Sequence, residues 1–332
     1  MNKSTRQLKN FLAVCLAIAG MFLLASARLS GQASASGVST LMNRPASVPD
    51  DYVTTPFGYF HPSCVQMVGE GNTLLADGRV EHPDGTIDPA PVCYYPHYTS
   101  TGLMVPVDPK ELGDINPLEI DGWLEYVSAT AGTSYHKLSA TWPVPPAPTS
   151  NDDQTLFFFP GFEDRKHVIS IVQPVLQWGA SAAGGGAYWA MSSWNCCLSG
   201  TADYSPLLDV NVGDTILGTI TPNCKPGKNY CATWNVTSKD ETTGKETTLA
   251  KTPADGQVWN WAFGAVSEDY GVGQCSDFPD NSGLTFTVHL YGKNGKLLGN
   301  PNWTGWVASN PDPDCNYGTK ITKTQETVEY QP

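Results

Sequence analysis

From about residue 119 onward, short apolar runs rich in Val, Ile, Thr, Phe, Tyr and Trp recur between clusters of Gly, Pro, Asn and Asp. They fall at 136–144 (HKLSATWPV), 155–160 (TLFFFP), 168–178, 187–194 (AYWAMSSW), 207–220 (LLDVNVGDTILGTI), 231–237 (CATWNVT), 258–268 and 284–292 (LTFTVHLYG). Evenly spaced short runs punctuated by turn residues predict an all-β fold, an antiparallel sandwich or barrel. No long amphipathic helical pattern competes with them. Gly213-Asp214 predicts a turn between two alternating runs, and VTSKDETTGKETTL predicts a polar hairpin bending at Gly244-Lys245. Residues 36–118 have a different texture. A small, polar linker runs to residue 50, followed by a stretch rich in Pro, Gly, Asp and Tyr, with turns signalled at Asp77-Gly78 and Asp84-Gly85. Any strands there should be short. The segment reads as an N-terminal extension, a small module or a pro-region, ahead of a sandwich domain at 119–332.

One run departs from the apolar pattern. Residues 169–179 read ISIVQPVLQWG, so Gln173 and Gln177 interrupt an otherwise interior strand. Residues two apart share a face of a strand, so Ile171, Gln173, Val175 and Gln177 all point one way. A buried carboxamide costs free energy unless it is hydrogen-bonded, so two on one face suggest a groove or a polar network. Pro174 removes a backbone donor beside Gln173 and predicts an edge or a bulge. Strict alternation through 259–268 would set Ala262, Gly264, Val266 and Glu268 on one face, with Trp259, Trp261, Phe263 and Ala265 on the other. On that reading Glu268 looks out over small residues that leave room for a ligand.

The chain begins with Lys3, Arg6 and Lys9, then the apolar FLAVCLAIAGMFLLA, then Ala25-Ser26-Ala27 and Ala33-Ser34-Ala35. This order predicts a secretory signal peptide and its cleavage region within 1–35. No later run is long and apolar enough to span a bilayer, so the expectation is a secreted protein, free of the membrane once the signal is removed. The net charge of −13 argues against nucleic acid and anionic membranes as partners. Besides Cys15, eight cysteines remain, an even number that suggests disulfides in an exported chain. Cys224 and Cys231 bracket a short loop, and Cys64 can pair with Cys93. The pairing of Cys196, Cys197, Cys275 and Cys315 stays open. No Cys-x-x-Cys pair exists and the histidines are scattered, so neither a metal nor another cofactor is expected.

The order of several segments resembles the eqolisins, the glutamic peptidases, over roughly residues 120–290. The segments are Gly122-Trp123-Leu124-Glu125, Ala140-Thr141-Trp142-Pro143-Val144-Pro145, Phe159-Pro160-Gly161-Phe162-Glu163-Asp164, Ile171-Val172-Gln173 with Trp178 five residues on, Val212-Gly213-Asp214-Thr215-Ile216, and Ala265-Val266-Ser267-Glu268-Asp269-Tyr270. The resemblance implies a β-sandwich of concanavalin-like architecture and hydrolysis of peptide bonds at acid pH without a metal. Carried over residue by residue, it puts Gln173 in the catalytic glutamine position and Glu268 in the catalytic glutamate position. It also departs from the family. Ser192-Ser193-Trp194-Asn195 stands where a Tyr-Glu-Trp-Tyr strand is expected, and Gln177 replaces an aspartate.

A carboxylate and a carboxamide facing one cleft can do this chemistry. The carboxylate takes a proton from water, and the amide orients that water or donates to the developing oxyanion. Gln177, Trp178, Trp189 and Trp194 are the candidate substrate-binding residues, and the expected partner is a polypeptide met by a monomer. The alternative is a non-catalytic concanavalin-like module that holds a polysaccharide on those tryptophans. A retaining glycosidase on the same architecture needs a second carboxyl close to Glu268, and the strand at 169–178 offers none.

Overall fold

The computed structural model describes residues 44–107, 123–167, 170–197 and 200–332. The predicted signal peptide at 1–35 lies outside these residues, as does the junction at 108–122. Among the described residues the regular structure consists of strands and short 3-10 turns at Pro62–Cys64 and Cys275–Asp277. No helix there is long and apolar enough to cross a membrane.

Two large sheets pack face to face as a sandwich. The seven-stranded sheet runs, in spatial order, Glu246–Pro253, Thr233–Asp240, Thr215–Pro222, Lys137–Pro143, Leu284–Tyr291, Gln325–Glu329 and Gly318–Ile321. Its strands alternate buried and half-exposed positions, as in Thr233–Asp240, because only one face meets the core. The second sheet runs Thr304–Val307, Glu125–Thr130, Trp261–Tyr270, Thr155–Glu163, Ile171–Ser181, Gly184–Cys196, Ala202–Tyr204 and Val65–Met67, with Leu208–Asp209 also paired to Gly184–Cys196. Its central strands are buried on both faces. All nine residues of Thr155–Glu163 are buried, which explains why that run is apolar without alternation.

The inner face of this second sheet contributes Leu156, Phe158, Phe162, Val172, Leu176, Trp178 and Trp189 to the core between the sheets. The outer face carries Phe157, Phe159, Ile171, Val175, Trp194, Trp261, Phe263, Val266 and Tyr270, and it is covered by Val48, Tyr52, Phe57, Tyr59 and Phe60 of the N-terminal extension. The extension folds into a four-stranded sheet of Val53–Thr55, Gly58–Phe60, His97–Tyr98 and Met104–Val105, and a three-stranded one of Thr73–Leu74, Val80–Glu81 and Ile87–Asp88. These strands are two or three residues long, as the turn-rich sequence predicts. The extension also joins the sandwich directly, because Val65–Met67 pairs in parallel with Ala202–Tyr204.

Two elements differ from the expected pattern. The residues around Gly213-Asp214 do turn, with Asp214 N–H bonded to the Asn211 carbonyl. However, Leu208–Asp209 joins one sheet and Thr215–Pro222 the other, so the two runs do not form a hairpin with each other. The VTSKDETTGKETTL segment does form one, pairing Thr233–Asp240 with Glu246–Pro253 around Gly244 at φ 81°. The disulfides are Cys64–Cys93, Cys224–Cys231, Cys275–Cys315 and Cys196–Cys197, so every cysteine among the candidates is paired.

Candidate active site

Glu268 sits on the outer face of the second sheet, and a bulge puts it there. The strand Trp261–Tyr270 shifts register against both neighbours between Phe263 and Val266. One extra residue around Gly264 reverses the alternation beyond it, the ordinary effect of a β-bulge. Ala262 and Ala265 therefore face the inter-sheet core, while Trp261, Phe263, Val266 and Tyr270 face outward with Glu268. The small-residue floor expected under Glu268 is thus replaced by aromatic rings.

Glu268 is fully buried. Trp123 Nε1 donates to its Oε2 at 3.1 Å, and the Tyr270 hydroxyl donates to Oε1. Trp123 is fixed edge-on against Phe159 and Phe263, and Tyr270 against Phe157 and Tyr59. Burial, with Glu268 beside it, pushes the Tyr270 phenol far above its ordinary range, so the hydroxyl stays a donor. The next residue, Asp269, has its carboxyl raised to about 7 by burial.

The glutamine strand and the glutamate strand are not neighbours, because Thr155–Glu163 lies between them. Register decides which amide approaches Glu268. Phe157 pairs with Gln177 on one side and with Glu268 on the other. Gln177 therefore lies in the row of Glu268, about 10 Å away between α-carbons at two strand spacings. Gln173 lies four residues further along its strand, about 13 Å at ordinary strand rise.

Both amides are buried on the outer face, and their hydrogen bonds differ. Gln177 is tied into its own hairpin. Its Nε2 donates to the Gly179 and Gly184 carbonyls at 2.8 and 2.9 Å, and its Oε1 accepts from Ser181 Oγ at 2.7 Å. Gln173 instead reaches the extension, with Nε2 donating to the Pro56 carbonyl at 2.7 Å. Its Oε1 is buried without a hydrogen-bond partner. Pro174 is interior rather than at an edge, and the ladder shows no register shift at it. Extending the register from Phe158↔Leu176 and Phe162↔Val172 sets Pro160 opposite Pro174, so neither can donate across that point.

The Pro56 contact belongs to a tight hairpin. Thr55 pairs with Gly58, leaving Pro56-Phe57 as a two-residue tip. Phe57 is fully buried against the outer face. Gly58 has φ 117° and passes so close to the Tyr98 backbone that a β-carbon would lie 2.2 Å from its carbonyl oxygen, so only glycine fits. The Ala182 N–H, at the turn after the glutamine strand, donates to the Thr54 carbonyl.

The three tryptophans do not share one surface. Trp178 and Trp189 lie in the inter-sheet core, and Trp194 lies on the outer face under the extension, stacked on Tyr204. None offers the exposed ring that a sugar-stacking platform needs. Among the described residues, no cluster of three or more His, Cys, Asp or Glu is arranged to hold a metal ion. Sequence reasoning missed Trp123 and Tyr270 as partners of Glu268. The only signal for Tyr270 was its place two residues after Glu268, which puts it on the same face.

This geometry can be set beside known proteins. No family profile matches the sequence, and no curated protein does. Solved structures with a similar fold include Scytalido-glutamic peptidase bound to a peptide-based transition-state analogue, at 14% identity and TM-score 0.45, covering 63% of this chain and 98% of that one. A member of the eqolisin family in complex with the tripeptide Ala-Ile-His matches at 14% identity and TM-score 0.44, with the same coverage. Aspergilloglutamic peptidase from Aspergillus niger matches at 16% identity and TM-score 0.38, covering 53% of this chain and 98% of its own. The chain resembles the glutamic peptidases.

Proposed function

We propose that this protein is a secreted acid endopeptidase that hydrolyses peptide bonds with a carboxylate, a carboxamide and a water, its cleft closed by the N-terminal extension as a pro-region. The observation that carries this reading is Glu268. It is a buried carboxyl with a donor on each oxygen, in one cross-strand row with a buried amide. A donor to each oxygen offsets part of the cost of burying the charged form that a general base needs. Gln177, its amide anchored by three hydrogen bonds, keeps a lone pair on Oε1 for the attacking water, and the Phe157 ring, buried between it and Glu268 in the same row, must swing aside for that water to reach both. Gln173 serves the same face differently. Its N–H already grips a peptide carbonyl, Pro56, so it suits a residue that binds the main chain of whatever occupies the cleft. The two glutamines thus exchange the roles that the family resemblance implies.

The extension supplies the first occupant. Its hairpin tip presents a folded turn rather than an extended strand, so the bonds at Pro56-Phe57 are not offered in a shape that water and base can attack together. Four disulfides suit an oxidising, extracellular compartment. The test is zymography on denatured protein at pH 2–4 with wild type and Glu268→Gln. Cleavage by wild type alone is expected, with both proteins showing the same far-UV circular dichroism. Equal cleavage by both removes Glu268 from the chemistry.

A further inference from the structure

His97 stands at the root of the hairpin that fills the cleft. Its ring stacks on Phe60 at 4.6 Å between centroids, with planes 6° apart, and lies 6.1 Å from the Phe57 ring. Phe57 and Phe60 are the rings that seal the hairpin onto the outer face. The residue keeps an edge towards solvent, but Nε2 is buried and has no hydrogen-bond partner. A neutral imidazole tolerates this, because Nε2 can remain a bare lone pair with the proton on Nδ1. An imidazolium cannot, because both nitrogens must then carry an N–H. We propose that His97 is the acid trigger of the cover: protonation of this imidazole forces the ring out from between Phe57 and Phe60 and lifts the hairpin tip from the cleft.

The surroundings fit this role. No charged group acts on His97; burial alone pushes its pKa down, from 6.5 to about 3. It sits on a short strand paired with Met104–Val105 on one side and with Gly58–Phe60 on the other, where Tyr59 pairs with Tyr98. The other histidine on this part of the extension, His61, is stacked on Tyr95 with Asp51 at 3.6 Å, and it meets the covering Tyr52 edge-on at 5.8 Å rather than Phe57 or Phe60. Arg44, over the Tyr59 ring, stays charged throughout. The sign follows from the depressed value. The covered state refuses a proton that the open state accepts, so the cover weakens as pH falls below 6.5, and the full effect is reached near 3. Asp203 acts in the opposite direction. Burial, then Asp255, raises its carboxyl, so its net effect favours the fold in acid, while the hydrogen bond it accepts from Gln66 of the extension at 3.2 Å favours the charged form. The His97→Phe variant keeps this contact, so a loosening that survives in it belongs to Asp203 and not to His97.

The inference rests on the extension being the cover of the proposed site, but its test needs no cleavage. Amide hydrogen exchange is measured on the full chain across residues 54–60 between pH 6.5 and 3, as protection relative to an unstructured peptide at each pH. In wild type, protection should fall at least tenfold, while the strand Leu284–Tyr291 keeps its own. In His97→Phe, which retains the stack without a titrating group, protection should hold within about twofold. If His97→Phe does not match wild type by circular dichroism at pH 7, His97→Gln is read in its place. A parallel fall in the variant overturns the proposal, and so does a wild type whose hairpin stays protected to pH 3. A protein that uncovers through His97 yet cleaves nothing keeps the switch and loses the peptidase reading.

Discussion

Glu326 offers a stability test worked directly from the structure. It lies on Gln325–Glu329 opposite Phe286, fully buried, and neither carboxyl oxygen has a hydrogen-bond partner. Its side chain packs by Gly264, where a β-carbon would come within 3.3 Å of Glu326 Cγ and of Val288. Burial raises its pKa from 4.5 to about 8. Because the folded value exceeds the unfolded one, the carboxyl is harmless below pH 4.5 and costs stability as pH rises, until the folded carboxyl itself ionises near 8. At 1.36 kcal/mol per unit, the loss across that window approaches about 5 kcal/mol, a large part of the ~5–15 kcal/mol that holds a domain together. Glu326→Gln keeps the shape and removes the titration. The buried amide and the buried neutral carboxyl each carry a constant penalty of about 1–3 kcal/mol, so the diagnostic quantity is the change in the difference with pH. Urea unfolding at pH 4, 6 and 8 measures it. The two proteins should be close in stability at pH 4, and the variant should be the more stable one at pH 8. Parallel stability curves for the two proteins would refute the placement of Glu326 as an unpartnered core acid.

Glu125, raised to about 9, and Asp269, raised to about 7, are shifted by burial in the same direction, so wild-type stability should decline steadily between pH 4.5 and 9, as thermal melts would show. Trp123→Phe removes one donor from Glu268, worth about 1.5–3 kcal/mol to a charged group. The acid limb of kcat/KM should then move up by about one to two pH units; an unmoved limb contradicts the role given to that N–H. Gly179→Ala places a β-carbon 2.1 Å from the Gln154 carbonyl at φ 87°, and should cost about 2–4 kcal/mol by urea unfolding. A loss below 1 kcal/mol would show that the turn relaxes around it.

Much of the sandwich was legible because period and burial agree. Runs such as HKLSATWPV and LTFTVHLYG carry one apolar face each, and they form the strands Lys137–Pro143 and Leu284–Tyr291. The disulfide Cys224–Cys231 was legible from the short loop it closes and Cys64–Cys93 as an available pairing, whereas Cys275–Cys315 and the adjacent Cys196–Cys197 were left open by the sequence. The surroundings of Glu268 were misread for a local reason. A single inserted residue at Gly264 exchanges the two faces of a strand, and the interior glycine of AFGAVSE was the sign of a bulge that strict alternation passed over. Which glutamine lies level with Glu268 was hidden for a topological reason. Alternation assigns Gln173 and Gln177 to one face, but only the register with the intervening strand tells which of them lies level with Glu268. The role of Phe57 was equally out of reach, since a turn-rich extension gives no sign of the surface it will cover.

The most direct measurement is a comparison of steady-state kinetics for Gln177→Ala and Gln173→Ala on one peptide substrate at acid pH, with folding of each verified by circular dichroism. If Gln177 shares the attacking water with Glu268, its variant should lose about 10²–10³ in kcat, while the Gln173 variant should raise KM and leave kcat within about threefold. A Gln177→Ala protein with undiminished kcat, or a Gln173→Ala protein that takes the whole loss, would contradict the assignment.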